Sequence, residues 1–478
     1  MLDRLFISLL LLALAPLASA RISPLAKELI NHNFSVIEGL LAVDLAQLDV
    51  SSVKASKGWG VAYNFTYDDN RLEGSSSSNL QQTTTNSHTL ALTQSNFWGG
   101  SLSLSNTLSM VDQGRISSSL LGGAGTKLNQ YNQGITYQQL LGRNRLGRED
   151  RAGLQLAHQG VELRRVMARL NEQQVLLQFS NFYLAAKLHN SLRGLQQRAY
   201  KRAVKRRALI IRRVKDGVAL NVDLVQSKIA VLGKKEAINN AHNALNSSLE
   251  KIGLLLHRKV DSSDVGVFDM AKFNLSQVPN ANWNQSLDKQ LLEQQVLLSN
   301  QRLKKIDYSF APSMDITFGL KGNEYDSSIG QSLSNGTILD QDREITVAFN
   351  LSLDLGSNNS KAERAKERIE LGKLILGQQI KQKNFVQSFE QIVTQIKRMD
   401  QNLKSIKGRR QFARQVVMEY GKLYQLGKAT LDQVIGAEER LIETEISLVR
   451  SLVEREGLVV SLAVLDGELK EYLDKASF

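Results

Sequence analysis

From Lys361 to Gln425 the chain runs for 65 residues without a proline, and its apolar side chains keep a 3.5-residue spacing. Phe385, Phe389, Ile392, Ile396, Met399, Leu403 and Ile406 step by 4, 3, 4, 3, 4 and 3. The seam continues through Ala413, Val417, Tyr420 and Tyr424. Such spacing places one apolar stripe along a helix and predicts coiled-coil packing against another helix. At 1.5 Å per residue the helix is roughly 100 Å long, which a globular core does not need and a tube wall does. Val175, Phe179, Phe182 and Ala186 repeat the pattern earlier in the chain, and Val434, Leu441 and Leu448 recur at seven. Only four prolines occur (Pro16, Pro24, Pro279 and Pro312), and none interrupts a long periodic segment.

Two islands rich in Ser, Thr, Asn, Gly and aromatics break this helical sequence. In the first, about residues 57–142, Trp59, Val61, Tyr63, Phe65 and Tyr67 alternate strictly, as half-buried strands do. Leu90 and Leu92, then Leu102 and Leu104, repeat the alternation on either side of Phe97-Trp98-Gly99-Gly100, and Ile135 and Tyr137 mark a last strand. Gly74 to Ser78 reads as a polar loop. In the second island, about 312–356, Met314, Ile316, Phe318 and Leu320 alternate, as do Ile345, Val347, Phe349, Leu351 and Leu353, with a loop at Asn335-Gly336. Trp59, Tyr63, Tyr67, Trp98, Tyr137 and Tyr325 are the candidates for the lipid–water interfaces of a barrel.

The chain also repeats itself. Ile135-Thr136 recurs as Ile345-Thr346 and Gly217 as Gly427, each 210 residues later. The expected layout is a leader at 1–20, a first repeat at 21–260, a linker at 261–284 and a second repeat at 285–478. Each repeat reads helix, strands, long helix, glycine-marked break, shorter helix. The first island is the longer one, which an extra strand pair around 87–112 explains.

Arg4, the apolar run Leu5 to Leu17 and the small-residue stretch Ala18-Ser19-Ala20 form a secretory leader, so the mature chain is expected to begin near Arg21. No later run of about 20 apolar residues follows, so entry into a membrane requires a closed barrel. The absence of cysteine excludes disulfides, thiol nucleophiles, Cys-type zinc sites and a lipidated N-terminus. A net charge of +13 invites a nucleic-acid reading, which export argues against. No catalytic constellation is present. The six histidines form no i, i+4 metal pair, and Gly99-Gly100 and Gly122-Gly123 lack the Lys-Ser/Thr of a phosphate loop. No metal and no cofactor is expected.

This layout resembles the TolC-like outer-membrane efflux protein family over essentially the whole mature chain. The resemblance rests on Leu423-Tyr424-Gln425-Leu426-Gly427-Lys428-Ala429-Thr430 followed by Val434 and Ala437, and on its partner Val214-Lys215-Asp216-Gly217-Val218-Ala219 followed by Leu224. Leu351-Ser352-Leu353-Asp354-Leu355-Gly356 leading into the helix from Lys361, and Leu287 to Leu303 leading to Pro312, add to it. It implies a homotrimer in which each subunit gives strands to one outer-membrane β-barrel and helices to one periplasmic coiled-coil tube, a mixed α and β fold. The implied role is a passive exit duct for drug efflux or type I protein secretion, working with a periplasmic adaptor and an inner-membrane pump. It further implies that Asp216, Gly217, Val218, Leu426, Gly427 and Lys428 form the adaptor-docking tip. The family's acidic entrance ring has no direct equivalent, since its positions read Gln433 and Gly436, with Asp432 one residue away and Asp223 at the matching first-half position.

Ahead of the first tip glycine, residues 198–215 hold nine basic side chains and no acid, among them Lys205, Arg206, Arg207, Arg212 and Arg213. They predict an electropositive tip suited to an acidic adaptor surface or anionic cargo. The competing architecture is a trimeric coiled-coil adhesin or structural stalk. Such proteins keep their membrane strands at one terminus, whereas the islands here lie inside two helical repeats.

Overall fold

The computed structural model describes residues 22–73, 80–113, 126–268, 278–339, 343–353 and 358–475. The leader, the Gly74 to Ser78 stretch, Gly122-Gly123 and Asp354 to Gly356 lie outside them. Helices α1 (Ile22–His32) and α2 (Phe34–Ala55) precede strands β1 (Trp59–Glu73), β2 (Leu80–Ser95), β3 (Gly100–Gln113) and β4 (Thr126–Leu140). Then come α3 (Arg148–Lys215), α4 (Asn221–Leu256), the one-turn α5 (Ser262–Val265) and α6 (Leu287–Ser309). The chain continues through β5 (Ser313–Asp326), α7 (Ile329–Asn335), β6 (Arg343–Ser352), α8 (Asn358–Gln425), α9 (Leu431–Asp466) and α10 (Leu469–Lys475).

The internal repeat is visible in the element bounds. Helices α3 and α8 both have 68 residues, and α4 and α9 both have 36. Each later helix starts and ends 210 residues after its counterpart: 148 to 358, 215 to 425, 221 to 431 and 256 to 466. Strand number breaks the symmetry among the described residues, with four strands before α3 and two before α8. The surplus is the β2–β3 hairpin, residues 80–113.

The chain divides into two compact units. One comprises Met1–Ala42, Arg165–Leu292 and Gly377–Phe478, the other Val43–Arg164 and Glu293–Leu376. In the first, the expected heptad seam is the packing seam. Leu403 and Ile406 of α8 meet Leu448 and Leu452 of α9, and Ile396 meets Val459 and Leu462, as an antiparallel pair requires. Each such leucine or isoleucine contributes about 1.5–3 kcal/mol when fully buried. On α9, Leu441, Glu445, Leu448, Leu452, Arg455, Val459, Leu462 and Asp466 step by 4 and 3 alternately, and all are buried. The three charged members are paired. Glu445 accepts from Arg414 at 3.0 Å, Arg455 donates to Asp400 at 2.6 Å, and Asp466 accepts from the Asn282 N–H at 2.7 Å. Polar groups at seam positions fix the register of the pair, because a slip strands them in apolar surroundings. A second core joins Leu25 and Leu29 of α1, Phe179 and Tyr183 of α3, and Leu249 and Ile252 of α4.

The second unit holds one antiparallel sheet in the order β1-β2-β3-β4-β5-β6. Its β2–β3 turn is tied to the entry of α3. Gln139 donates to the Trp98 carbonyl at 3.0 Å, and a Cβ on Gly147, whose φ is +70°, would collide with the Phe97 carbonyl. The Asn335-Gly336 segment ends a short helix, α7, rather than a plain loop. Helix α7 lies on the sheet, with Ser332 donating to the Asn129 carbonyl at 3.2 Å. Among the described residues no helix is long and apolar enough to cross a membrane.

Candidate functional site

Unbroken register from β1 to β6 assigns every strand side chain to one of two faces, because alternate residues point oppositely. One ladder row reads Val61, Leu92, Leu104, Ile135, Leu320, Ile345. The row beside it reads Trp59, Gln94, Leu102, Tyr137, Phe318, Val347. Phe65, Leu108, Ile316 and Phe349 extend the same face, and the large apolar side chains of β1 and β6 on it are exposed. The opposite face carries Thr85, Ser87 and Thr89 of β2, Ser101, Ser103, Ser105, Thr107 and Ser109 of β3, and Gln130, Asn132, Thr136 and Gln138 of β4.

Hydrogen bonds knit this polar face together across strands. Ser87 meets Ser109 and Thr89 meets Thr107, each at 3.1 Å, while Gln138 and Asn350 both donate to Asp315 at 3.0 Å. A soluble sheet hides its apolar face and wets its polar one. Here the apolar face runs across all six strands, mostly half-buried on the central ones and exposed on β1 and β6, where a soluble monomer would cover it.

The apolar band also drifts along the strands. From Tyr63 the ladder leads to Arg343, yet the band on β6 spans Ile345 to Leu351. The drift is about one residue per strand step, which corresponds to strands tilted by roughly 30–35°, near the tilt of closed barrels.

At the far ends of α3 and α8 the two halves make the same turn. Gly217 has φ +69° and Gly427 φ +72°. Val218 N–H reaches the Arg213 carbonyl and Lys428 N–H the Leu423 carbonyl, both at 2.8 Å. The Gly217 and Gly427 N–H groups reach the Val214 and Tyr424 carbonyls at 3.1 Å. Both are Schellman closures, in which glycine supplies the left-handed residue. Space is not the reason for glycine, since a Cβ at either position would meet nothing within 4 Å. The turns leave Val218 64 %, Leu220 71 % and Leu426 70 % exposed. Behind them Ile210, Tyr424, Leu431 and Val434 form a shared core, and Arg213 bridges the halves by donating to the Tyr424 carbonyl at 2.8 Å and lying 4.7 Å over its ring.

No family model and no curated protein matches this chain in sequence. Solved structures do match in shape. CusC, described in terms of transmembrane channel formation, superposes with a TM-score of 0.67 at 12 % identity, covering 95 % of both chains. The outer membrane protein VceC of Vibrio cholerae matches at 0.65 and 11 %, covering 94 % of this chain and 96 % of its own. The open state of the Neisseria gonorrhoeae MtrE outer membrane channel matches at 0.65 and 14 %, covering 96 % and 91 %. The fold is TolC-like.

Within this TolC-like fold the residues singled out from sequence take distinct places. Trp59, Tyr63 and Tyr67 on β1 and Tyr137 on β4 share the apolar face. Trp98 is exposed in the β2–β3 turn. Tyr325 stands on the polar face, where its hydroxyl accepts from Gln130 at 2.6 Å. Asp216, Gly217, Val218, Leu426, Gly427 and Lys428 all lie in the two tip turns. Asp223 and Gln433 occupy the same N3 position of α4 and α9. Asp223 accepts from the Leu220 N–H at 3.2 Å, and Gln433 forms a reciprocal capping box with Thr430. Asp432 is exposed beside Gln433 in the first turn of α9, and Gly436 is half-buried one turn on.

The basic cluster is partly spent inside the TolC-like helices. Arg206 pairs with Glu438 and Arg213 stacks on Tyr424, whereas Lys205 and Arg212 are exposed and Arg207 is half-buried; outside the cluster, Arg414 of α8 pairs with Glu445 in the same way. The acidic partners went unseen in sequence because they lie on α9, more than 230 residues from Arg206 in the case of Glu438. The alternate serines of β3 interleave in sequence with Leu102 and Leu104 and mark the polar face.

Proposed function

We propose that this chain is one subunit of a trimeric exit duct of the bacterial outer membrane. Its strands stand in the bilayer, and its helices reach into the periplasm toward an adaptor and an inner-membrane pump. The observation that carries this is the sheet with an open apolar face and a hydroxyl- and amide-lined reverse, in a chain whose described helices include none fit to span a membrane. Only a closed barrel satisfies such a backbone in lipid, with its polar face around water. Trp59 and Tyr67 are eight residues apart on β1, about 27 Å along a strand, which suits the roughly 25 Å apolar band of such barrels once tilt is included.

The exposed Val218, Leu220 and Leu426 suit docking of an apolar adaptor contact, with Lys205 and Arg212 as a basic collar that favours an acidic partner surface. Transport through such a duct is passive and needs no bound cofactor. The polar lining, mostly hydroxyls and amides with Asp315 held among them, fits small polar solutes and unfolded polypeptide alike. A coiled-coil adhesin or stalk is disfavoured because strands flanked by helices occur in both repeats. Purified protein is expected to insert into planar bilayers as discrete conducting units and to behave as a trimer in detergent. A monomer that forms no pores would end this reading.

A further inference from the structure

The surplus hairpin β2–β3 has no counterpart in the second half, and it is neither a cap nor a plug. It is paired along its length, β2 with β1 over fifteen residue pairs and β3 with β4 over fourteen, and its side chains continue both faces of the sheet. Each copy therefore offers six staves. Six are too few to close, since the smallest closed membrane barrels have eight.

The outer edges of β1 and β6 are unpaired among the described residues, each of these strands having one neighbour only, β2 and β5 respectively. Over their apolar stretches, residues 59–67 and 345–351, neither carries the charges that protect an edge in a soluble protein, and the charges present lie beyond them, at Asp68, Asp69, Arg71 and Glu73 of β1 and Arg343 and Glu344 of β6. Neither contains proline or lysine, and neither has a bulge in its ladder. In lipid their unpaired N–H and C=O groups cannot remain open. Because the sheet is antiparallel with an even strand count, β1 and β6 run in opposite directions. A β6 edge can therefore meet the β1 edge of a second copy and preserve the alternation.

Resting on the trimeric duct proposed above, we infer that three copies join β6 to β1 around a ring and close an 18-stranded barrel. The β2–β3 hairpin supplies six of its staves. Two strands per half would have made twelve. Eighteen strands spaced about 4.8 Å and tilted by about 35° close at a backbone diameter of about 34 Å. The lumen wall is then the serine, threonine, asparagine and glutamine face, wide enough for an aqueous channel.

The cysteine-free chain allows a direct test of the seam. Asn64→Cys on β1, facing the lumen, is combined in turn with Thr346→Cys, Ala348→Cys and Asn350→Cys on the same face of β6, and each membrane-inserted double variant is oxidised. A repeat with Ala62→Cys covers a shifted register. One or two pairings are expected to give a disulfide ladder that ends at a covalent trimer, lost on reduction. Monomers at every pairing, a bridge within one copy, or a ladder ending at two or passing three would overturn the 18-stranded closure. Bilayer conductance of the unmodified protein separates the two levels. Conducting protein with a failed ladder refutes the seam alone, and protein without conductance or trimer refutes the duct as well.

Discussion

At Lys187 the helical unit holds an ammonium group that is 2 % exposed, stacked 4.9 Å over Phe268, while Glu456 nearby in the same core is 1 % exposed. Burial pulls the Lys187 pKa down from 10.5 to about 8, and the Glu456 charge opposes that pull. Glu456 also accepts from Arg455 at 2.9 Å and from Tyr472 at 3.3 Å. A lysine depressed in the folded state releases its proton there before it does so in the unfolded chain. Its buried charge therefore costs stability in full below pH 8, and that cost is relieved as pH rises from about 8 toward 10.5. Glu456→Gln removes the counter-charge and is expected to cost about 3–5 kcal/mol, seen as a lower thermal midpoint. The double variant with Lys187→Met is expected to recover only the share borne by Lys187, since Arg455, 2 % exposed, also loses its Glu456 partner and keeps Asp400. Equal midpoints for wild type and Glu456→Gln would contradict a stabilising role for the Glu456 charge.

Among the elements, the sheet makes an asymmetric prediction for neighbouring residues. Leu104→Arg puts a cation into an all-apolar row and is expected to destabilise the membrane-inserted protein by about 2–4 kcal/mol, measured by urea titration in vesicles. Ser103→Arg, one residue away on the polar face, is expected to leave the urea midpoint nearly unchanged and to shift the reversal potential toward anions. The same midpoint loss for both would mean that the faces are wrongly assigned.

The tip turns make a second element-level prediction. Val218→Asp combined with Leu426→Asp is expected to weaken adaptor binding at least about tenfold, some 1.4 kcal/mol, while the trimer persists. Unchanged binding in a pull-down titration would move the docking surface elsewhere.

At the scale of the whole molecule, what was legible in the sequence was whatever depends on local period. The seam from Phe385 to Ile406 is buried or half-buried throughout, because a heptad stripe has no other way to leave water. The alternations of β1, β5 and β6 became one face for the same reason. What escaped was whatever depends on elements distant in sequence. Helix α7 forms in a stretch with no apolar period and is held by the Asn129 carbonyl on another strand. Glu438 and Glu445 were ordinary acids until α9 lay beside α3 and α8. Asp223, singled out at the pore-entrance position, also accepts from the Leu220 N–H at the start of α4, which depends on where that helix begins.

The β2–β3 hairpin constrains how a molecule of this kind evolves. A single added strand would reverse the direction of every strand after it and leave two parallel edges facing each other between copies. Only whole hairpins can be gained or lost without breaking the ring, and in a threefold assembly each one changes the circumference by six strands at once. In the threefold ring inferred above, bore would thus be a quantised trait, changed by insertions of roughly thirty residues rather than by point mutation.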